Sequence, residues 1–345
     1  MAYRHNQTNM SRRPQRTGID WEAQIGRRLR LRDLHAFFTV VRHGSMARAA
    51  AQLGVSQPAI SKVMAELEYA LGVRLLDRNR RGVEPTTYGT ALLRRGLAAF
   101  DELKQGLRDI EFLADAAQGE IRIECLDATA STFLPQLIAR FSREYPRVAL
   151  HIDTIISATA GLPGLRERKY DLVFSPLPLP LPEEFRTEDL KIDSVHADSL
   201  IIAAGPHNPW TRRRKIDLAE LVDEPWIMQG PETLHYRRLR AAFQSRGLGL
   251  PKSNLVTLST PLRVHFLANG PYISAIARSL ALEHSLVQLA VDLPKWEFSI
   301  SIVTLKNRTL TPVVEHFIEF ARLAGKEFRD QQHSRSPSRQ PRPRR

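Results

Sequence analysis

A single cysteine, Cys125, in a chain of 345 residues excludes an internal disulfide framework and any metal site built from several thiolates. Its apolar neighbours Ile121, Ile123 and Leu126 predict a place in the core of a strand, not a redox-active surface. No apolar run approaches the ~20 residues that a bilayer-crossing helix needs. The polar start, MAYRHNQTNMSRRPQRTG, lacks the apolar centre of a secretory signal, so a cytoplasmic protein with no membrane partner is expected. Enzyme motifs are missing too: there is no GxxxxGKS/T, GxSxG, HExxH or GxGxxG, and the eleven histidines have no metal spacing. No catalytic residue, no cofactor and no metal are expected.

Basic residues outnumber acidic ones by a clear margin only at the two ends of the chain. Residues 1–118 hold 19 Lys/Arg against 12 Asp/Glu and residues 326–345 hold 7 against 2, while residues 119–325 are nearly balanced at 24 against 23. The net charge of +13 therefore sits where a polyanion would be met by the ends and not by the middle. At 43% hydrophobic content the chain can bury at least two cores, which predicts a small basic module and a larger second domain.

The most informative stretch is Ser45 to Glu68, SMARAAAQLGVSQPAISKVMAELE. Met46, Ala49, Ala50 and Leu53 recur at spacings of three and four, which gives a first helix an inward stripe of small and apolar groups. Gly54 can end it in the left-handed conformation, with Val55 plugging the junction. Ser56 can cap a second helix whose first turn holds Pro58 and whose buried stripe is Ile60, Val63, Met64 and Leu67. Gln57, Ala59, Ser61, Lys62 and Ala65 are left on the outside. Two short helices crossing steeply about a glycine turn form a helix-turn-helix, although a plain helical hairpin has the same local pattern.

Around this pair, residues 1–28 form a basic leader expected to be disordered, and Leu31, Leu34, Phe37, Phe38 and Val41 mark a supporting helix that Gly44 stops. Arg78 to Pro85, RNRRGVEP, reads as a wing that carries cations to phosphates, the alternative being a solvated basic hairpin. Thr86 caps a long helix, about Tyr88 to Ala116, with an apolar stripe of Leu93, Leu97, Phe100, Leu103, Leu107, Ile110 and Leu113. So long a stripe is most simply covered by the same helix of a second copy.

After Gly119 the pattern turns to alternating α/β units. Strands are predicted near Ile121–Cys125, Val148–Ile155, Asp171–Phe174, Ser199–Ala204, Trp226–Gln229, Asn254–Ser259, Ile273–Ala275 and Glu297–Thr304, with a last helix at Val313–Ala324. The prolines of Ser175–Pro182 make a stiff rim, and the tail from Lys326 is expected to be disordered.

The run GSMARAAAQLGVSQPAISKVMAELEYALGVRLLDRNRRGV closely resembles the N-terminal domain of LysR-type transcriptional regulators. The match lies in Ala49-Ala50, Val55-Ser56-Gln57-Pro58-Ala59, Leu67-Glu68, Leu71-Gly72-Val73 and Arg78, with departures at Val63, Ala65 and Glu66. The resemblance continues more loosely to about Gly325, where two α/β lobes resemble the periplasmic-binding-protein-like effector domain of the same regulators. It implies a multi-domain α plus α/β architecture: a winged helix-turn-helix at 29–87, a dimerisation helix at 88–118 and an effector domain at 119–325. The lobes would be 119–197 with 300–325, and 198–299. Double-stranded DNA, a small-molecule effector held between the lobes, and a second or fourth copy of the chain are the implied partners, with RNA polymerase as a further candidate. The dimer would pair through Leu93, Leu97, Phe100, Leu103, Leu107 and Ile110.

In such a module Gln57 would pair with adenine and Lys62 with guanine, each contact worth ~1 to 3 kcal/mol of discrimination. Pro58 and Ala59 would touch thymine methyls, Ser56 and Ser61 would sit at the reading face, and Ser45, Arg78, Arg80 and Arg81 would hold phosphates. In the cleft the expected contacts are Ala128, Thr129 and Ser131 after the first strand, Ser157, Ala158 and Thr159 after the second, and Gln229, Thr233 and Tyr272 opposite. Alanines stand at 128 and 158 where many relatives place a ligand-contacting Ser or Thr, and Asp127 would repel a carboxylate. Both weigh for a sugar-like or other hydroxylated ligand against a small aromatic or aliphatic acid, without fixing the effector. A small-molecule enzyme and a sequence-blind architectural DNA protein are the rival readings.

Overall fold

The computed structural model describes residues 29–79, 82–115, 118–178 and 180–335, and the chain divides within its longest helix into two compact units, 1–97 and 98–345. The expected disordered leader lies outside the described residues. In the first unit α1 (Leu31–His43), α2 (Met46–Leu53) and α3 (Gln57–Leu71) pack on one another. Phe37, Val40, Ala49, Ala50, Ile60, Met64 and Leu67 are all buried between them. Ala49 and Ala50 carry no side chain beyond Cβ, which lets the helix backbones approach closely.

Gly54 ends α2 at φ +67°, a conformation that glycine adopts without a Cβ penalty, and its N–H donates to Ala51 O while Val55 N–H donates to Ala50 O at 3.0 Å. The expected plug is absent: Val55 stays 46% exposed, while Met46, Ala50 and Ile60 are buried in the module. The wing is a two-stranded antiparallel hairpin, β1 (Leu76–Asn79) and β2 (Gly82–Pro85). Glu68 Oε1 holds its root by accepting from Leu75 N at 2.7 Å and Leu76 N at 3.1 Å. Thr86 caps α4 (Thr87–Ala114) through Gly89 N at 3.0 Å.

The second unit is built on one hydrogen-bonded array of nine strands. They are β3 (Gln118–Leu126), β4 (Arg147–Ile155), β5 (Leu172–Pro178), β6 (Leu190–Ala204), β7 (Trp226–Met228), β8 (Ser253–Val256), β9 (Ile273–Ala277), β10 (Val287–Gln288) and β11 (Trp296–Leu305). The order is β4-β3-β5-β11-β6-β9-β7-β8, with β10 beside β6. Parallel groups β4-β3-β5 and β9-β7-β8 make the two lobes, and the antiparallel pair β6/β11 runs through both. Halfway along that pair the register slips: Ile300 faces His196 and Ser301 faces Ser194, which leaves Val195 as an extra residue. A bulge of this kind bends a strand. The lobe boundaries expected at 197/198 and 299/300 thus fall inside strands, next to this bend.

Helices α5 (Asp127–Ser131), α6 (Phe133–Glu144), α7 (Gly161–Arg166), α8 (Leu234–Gln244), α9 (Thr260–Asn269), α10 (Arg278–Glu283) and α11 (Pro312–Arg335) cover the strands. The expectation of a disordered tail from Lys326 is corrected for its first part, because α11 continues to Arg335. Phe317, Ala321, Ala324 and Phe328 keep helical spacing and are buried, and Phe328 sets its ring edge-on to Phe133 at 5.6 Å.

Candidate functional site

On α3 the buried face is Ile60, Met64 and Leu67, so Gln57, Pro58, Ala59 and Lys62 stand exposed and Ser61 half-buried at the opposite side of its first two turns. Ser45 and Ser56 each cap a helix, accepting from Arg48 N and Ala59 N at 3.4 Å, which leaves each hydroxyl hydrogen available to an external acceptor. Lys62 has a surface partner that the sequence reading did not include: its Nζ lies 3.8 Å from Glu66 Oε1, one turn on. Arg78 is exposed on β1, while Arg80 and Arg81 lie outside the described residues. Together these groups form a polar and basic rim on a rigid three-helix base, with a turn of α3 free of any cover from its own unit.

Along α4 the apolar stripe changes character. Leu93, Leu97 and Phe100 are half-buried, whereas Leu103, Leu107, Ile110 and Leu113 are 51%, 63%, 64% and 84% exposed. Four large apolar side chains in a row at spacings of three and four are an unusually costly surface for a lone chain.

In the second unit a cavity of about 370 Å³ opens where β3 and β4 end and α9 begins. Leu126, Ile155, Ile156, Leu258 and Pro261 form its apolar wall, and Asp127, Thr154, Gln229, His235, Ser259 and Thr260 its polar one. A side pocket of about 30 Å³ shares Leu126, Ala128 and His235 with it and extends to Thr129, Asp198 and Ser279. Asp127 Oδ2 accepts from Thr260 N at 2.8 Å, a bond that joins the end of β3 in one lobe to the start of α9 in the other.

Near Asp127 and His235, two of the lining residues, lies a buried charge with no hydrogen-bond partner among the described residues. Arg263, on the first turn of α9, has 0% exposure, and its Nε and both Nη atoms have no hydrogen-bond partner among the described residues. Burial lowers its pKa to about 10, against the opposing pull of the Asp127 charge. His235 is held down to about 3 by burial and then by the Arg263 charge, and among the described residues its Nε2 has no hydrogen-bond partner, nor does Gln229 Oε1. Leaving a buried charge without hydrogen bonds costs several kcal/mol, and the Asp127 carboxylate offsets part of that cost here.

Of the cleft residues expected from sequence, Ala128 and Gln229 line the larger cavity and Thr129 the side pocket. The others are engaged elsewhere. Ser131 donates to Asp127 O at 2.8 Å, the Ser157 and Thr159 hydroxyls lie 3.5 Å apart, and Ala158 packs against the cluster of Leu162 and Leu165. Thr233 caps α8 through Tyr236 N at 3.2 Å, and Tyr272 meets the Phe266 ring at 5.8 Å. Thr154, His235, Thr260 and Arg263 were not anticipated. Polar residues at the end of a strand or the start of a helix, and a helical arginine, carry no mark of burial in the sequence itself.

Comparison with known proteins decides the family. Residues 31–90 match the bacterial regulatory helix-turn-helix protein of the lysR family, and residues 114–325 match the LysR substrate binding domain. The chain belongs to the LysR family. It is a DNA-binding transcriptional regulator with an effector-binding domain, and its wing and α3 are the LysR-type DNA module. The regulator is similar to the HTH-type transcriptional regulator GbpR of Azospirillum brasilense, 28% identical over 87% of each chain. Its fold is similar to that of ArgP from Mycobacterium tuberculosis (TM-score 0.62, 19% identity, 85% of this chain and 96% of that one). The same holds for full-length OxyR from Pseudomonas aeruginosa (TM-score 0.60, 19% identity, 86% and 95%). No described helix is long and apolar enough to cross a membrane.

Proposed function

We propose that this LysR regulator works in the cytoplasm as a homodimer or pair of dimers. It reads DNA through the outer face of α3 and is switched by a small molecule that it leaves unchanged. The observation that carries the reading is the exposed row Gln57, Pro58, Ala59, Ser61 and Lys62 on a helix whose other face is packed, beside an exposed Arg78 on the wing. Gln57 has the donor and acceptor needed for adenine, Lys62 the donors for guanine, and Pro58 and Ala59 fit thymine methyls. Ser45, Ser56, Arg78, Arg80 and Arg81 position the head on phosphates, which neutralises charge without reading sequence.

The exposed Leu103, Leu107, Ile110 and Leu113 support pairing of α4 with a second copy, joined by Leu93, Leu97 and Phe100. Two heads related by a two-fold axis then meet half-sites about one helical turn apart. A ligand shifts the regulator only by binding one arrangement better than another, and the 370 Å³ cavity between lobes that share two continuous strands is suited to that. Ala128, Thr129 and Gln229 are its proposed contacts, with Thr154, His235 and Thr260 added from the lining.

Footprinting of selected genomic fragments tests the DNA assignment. Gln57→Ala is expected to relax base preference at one position per half-site, by about 1–3 kcal/mol, with little effect on random DNA. Arg78→Ala is expected to weaken specific and random DNA alike. Equal behaviour of the two variants on both DNAs would remove the assignment.

A further inference from the structure

We propose that Asp77 and Glu84 make the outer side of the wing a phosphate-excluding face, which selects against loosely held DNA; this rests on reading the wing as the part of the head that meets phosphates. In the hairpin register Asp77 stands directly opposite Glu84, and Arg78 directly opposite Val83. Successive side chains of a strand point to opposite faces, so Leu76, Arg78, Val83 and Pro85 share one side of the hairpin and Asp77 and Glu84 the other. Leu76, at 3% exposure, marks the first side as the one turned to the core of the module. Both carboxylate residues are exposed on the second. Among the described residues neither has an ion-pair partner, although like charges placed directly opposite weaken a two-stranded pair.

The wing is therefore divided by charge: Arg78 lies next to Asp77 in sequence and on the opposite side of the hairpin. Cross-strand neighbours on one face have Cβ atoms about 5 Å apart, inside the Debye length of ~8 Å at physiological salt, so a phosphate approaching that face meets two negative charges together. A head held by phosphates alone is free to roll on the backbone, because binding of random DNA depends on charge and not on base edges. The carboxylate pair removes the rolled arrangements in which its own face would meet the backbone. A head seated by base contacts from α3 has its orientation set already, and the same charges cost it less. Repulsion falls mainly on random DNA.

The test uses the full chain with Asp77→Asn and Glu84→Gln together, which keep the shape of both side chains and remove their charge. Binding is measured to a selected genomic fragment and to random duplex of the same length, at two monovalent salt concentrations. The double variant is expected to bind random DNA about three- to tenfold more tightly, with a steeper salt dependence, and to gain less than half that factor on the selected fragment. Its urea midpoint is expected to hold or rise, since two opposed like charges are gone. If the midpoint falls, Glu84→Gln alone is expected to show the same preference for random DNA at a smaller size. Equal gains on both DNAs, a gain on the selected fragment alone, or no gain at all overturns the exclusion and leaves the DNA-reading assignment in place. Random DNA bound more tightly by the unsubstituted chain when Mg²⁺ replaces monovalent salt at constant ionic strength, with no such response in the variant, also overturns it, because the pair would then be recruiting phosphate through a cation. If the unsubstituted chain prefers no fragment to random duplex, the DNA-reading assignment falls and this inference with it.

Discussion

Two arginines in the effector-binding half are buried to a similar degree and treated in opposite ways. Arg308, 6% exposed, has every arm of its guanidinium answered: Asp101 accepts at 2.7 and 3.1 Å, Asp171 at 2.8 Å and the Tyr170 carbonyl oxygen at 2.5 Å. Arg263, 0% exposed, has no answering group among the described residues. The first cluster ties α4 to the segment before β5 and to the turn after β11, with Arg168 adding a third bond to Asp101 at 2.8 Å. Charge answered by carboxylates holds the fold together, whereas a buried charge without hydrogen bonds adds little to it.

The contrast is broken most forcefully by the same substitution at both places. Arg308→Met removes the cation shared by Asp101 and Asp171, leaving Asp101 to Arg168 and Asp171 to Arg108 and the Arg122 N–H, and is expected to cost about 3–5 kcal/mol, read as a lowered urea midpoint. Arg263→Met removes a buried charge that makes no hydrogen bond among the described residues and is expected to leave that midpoint unchanged or raise it. A comparable loss from both would show that Arg263 is architectural after all.

A second way to sharpen it is through a buried group that avoids charge altogether. His196 is 1% exposed between the rings of Phe133, 4.9 Å away, and Phe328, 4.8 Å away. Burial holds its pKa down to about 4, with the Arg329 charge adding to the depression. Below the unfolded value the denatured chain binds a proton that the folded chain refuses. Stability is therefore complete above about pH 6.5 and falls as the pH drops toward 4, by up to about 3 kcal/mol for this residue. His235, depressed to about 3, steepens the same window. Unfolding midpoints measured from pH 7 to 4 are expected to flatten in His196→Leu. An unchanged slope would mean that other groups govern acid sensitivity.

How much of this was legible beforehand follows from how local each signal is. The helix-turn-helix was readable because its cues are neighbours: Gly54 after Leu53, Ser56 before Gln57, and stripes at spacings of three and four. The effector-domain strands followed from alternation, but the first half of β6 was missed because Lys191–Asp198 is half polar and its partner β11 is more than 100 residues away. The end of α11 was misplaced although Ala324 and Phe328 continue its period, because the charged tail drew the boundary inward. Arg308 pairs with Asp101 across 207 positions, and Arg263 is distinguished only by what fails to reach it. Neither fact has a local pattern.

The smallest effect lies at the surface, where the same question is asked in water. Lys62 and Glu66 stand 3.8 Å apart with 78% and 64% of their side chains exposed, so solvent competes for both. Breaking this pair by Glu66→Gln is expected to change stability by no more than about 0.5 kcal/mol, within the range of exposed one-turn pairs. DNA is expected to respond more than the fold does. The substitution removes a negative charge from the face that meets the duplex and releases Lys62 from a competing carboxylate, so affinity rises for specific and random DNA together. Binding measured at two salt concentrations separates the alternatives: a higher affinity with an unchanged urea midpoint assigns Glu66 to tuning the reading face, and a lowered midpoint with unchanged affinity assigns it to holding α3.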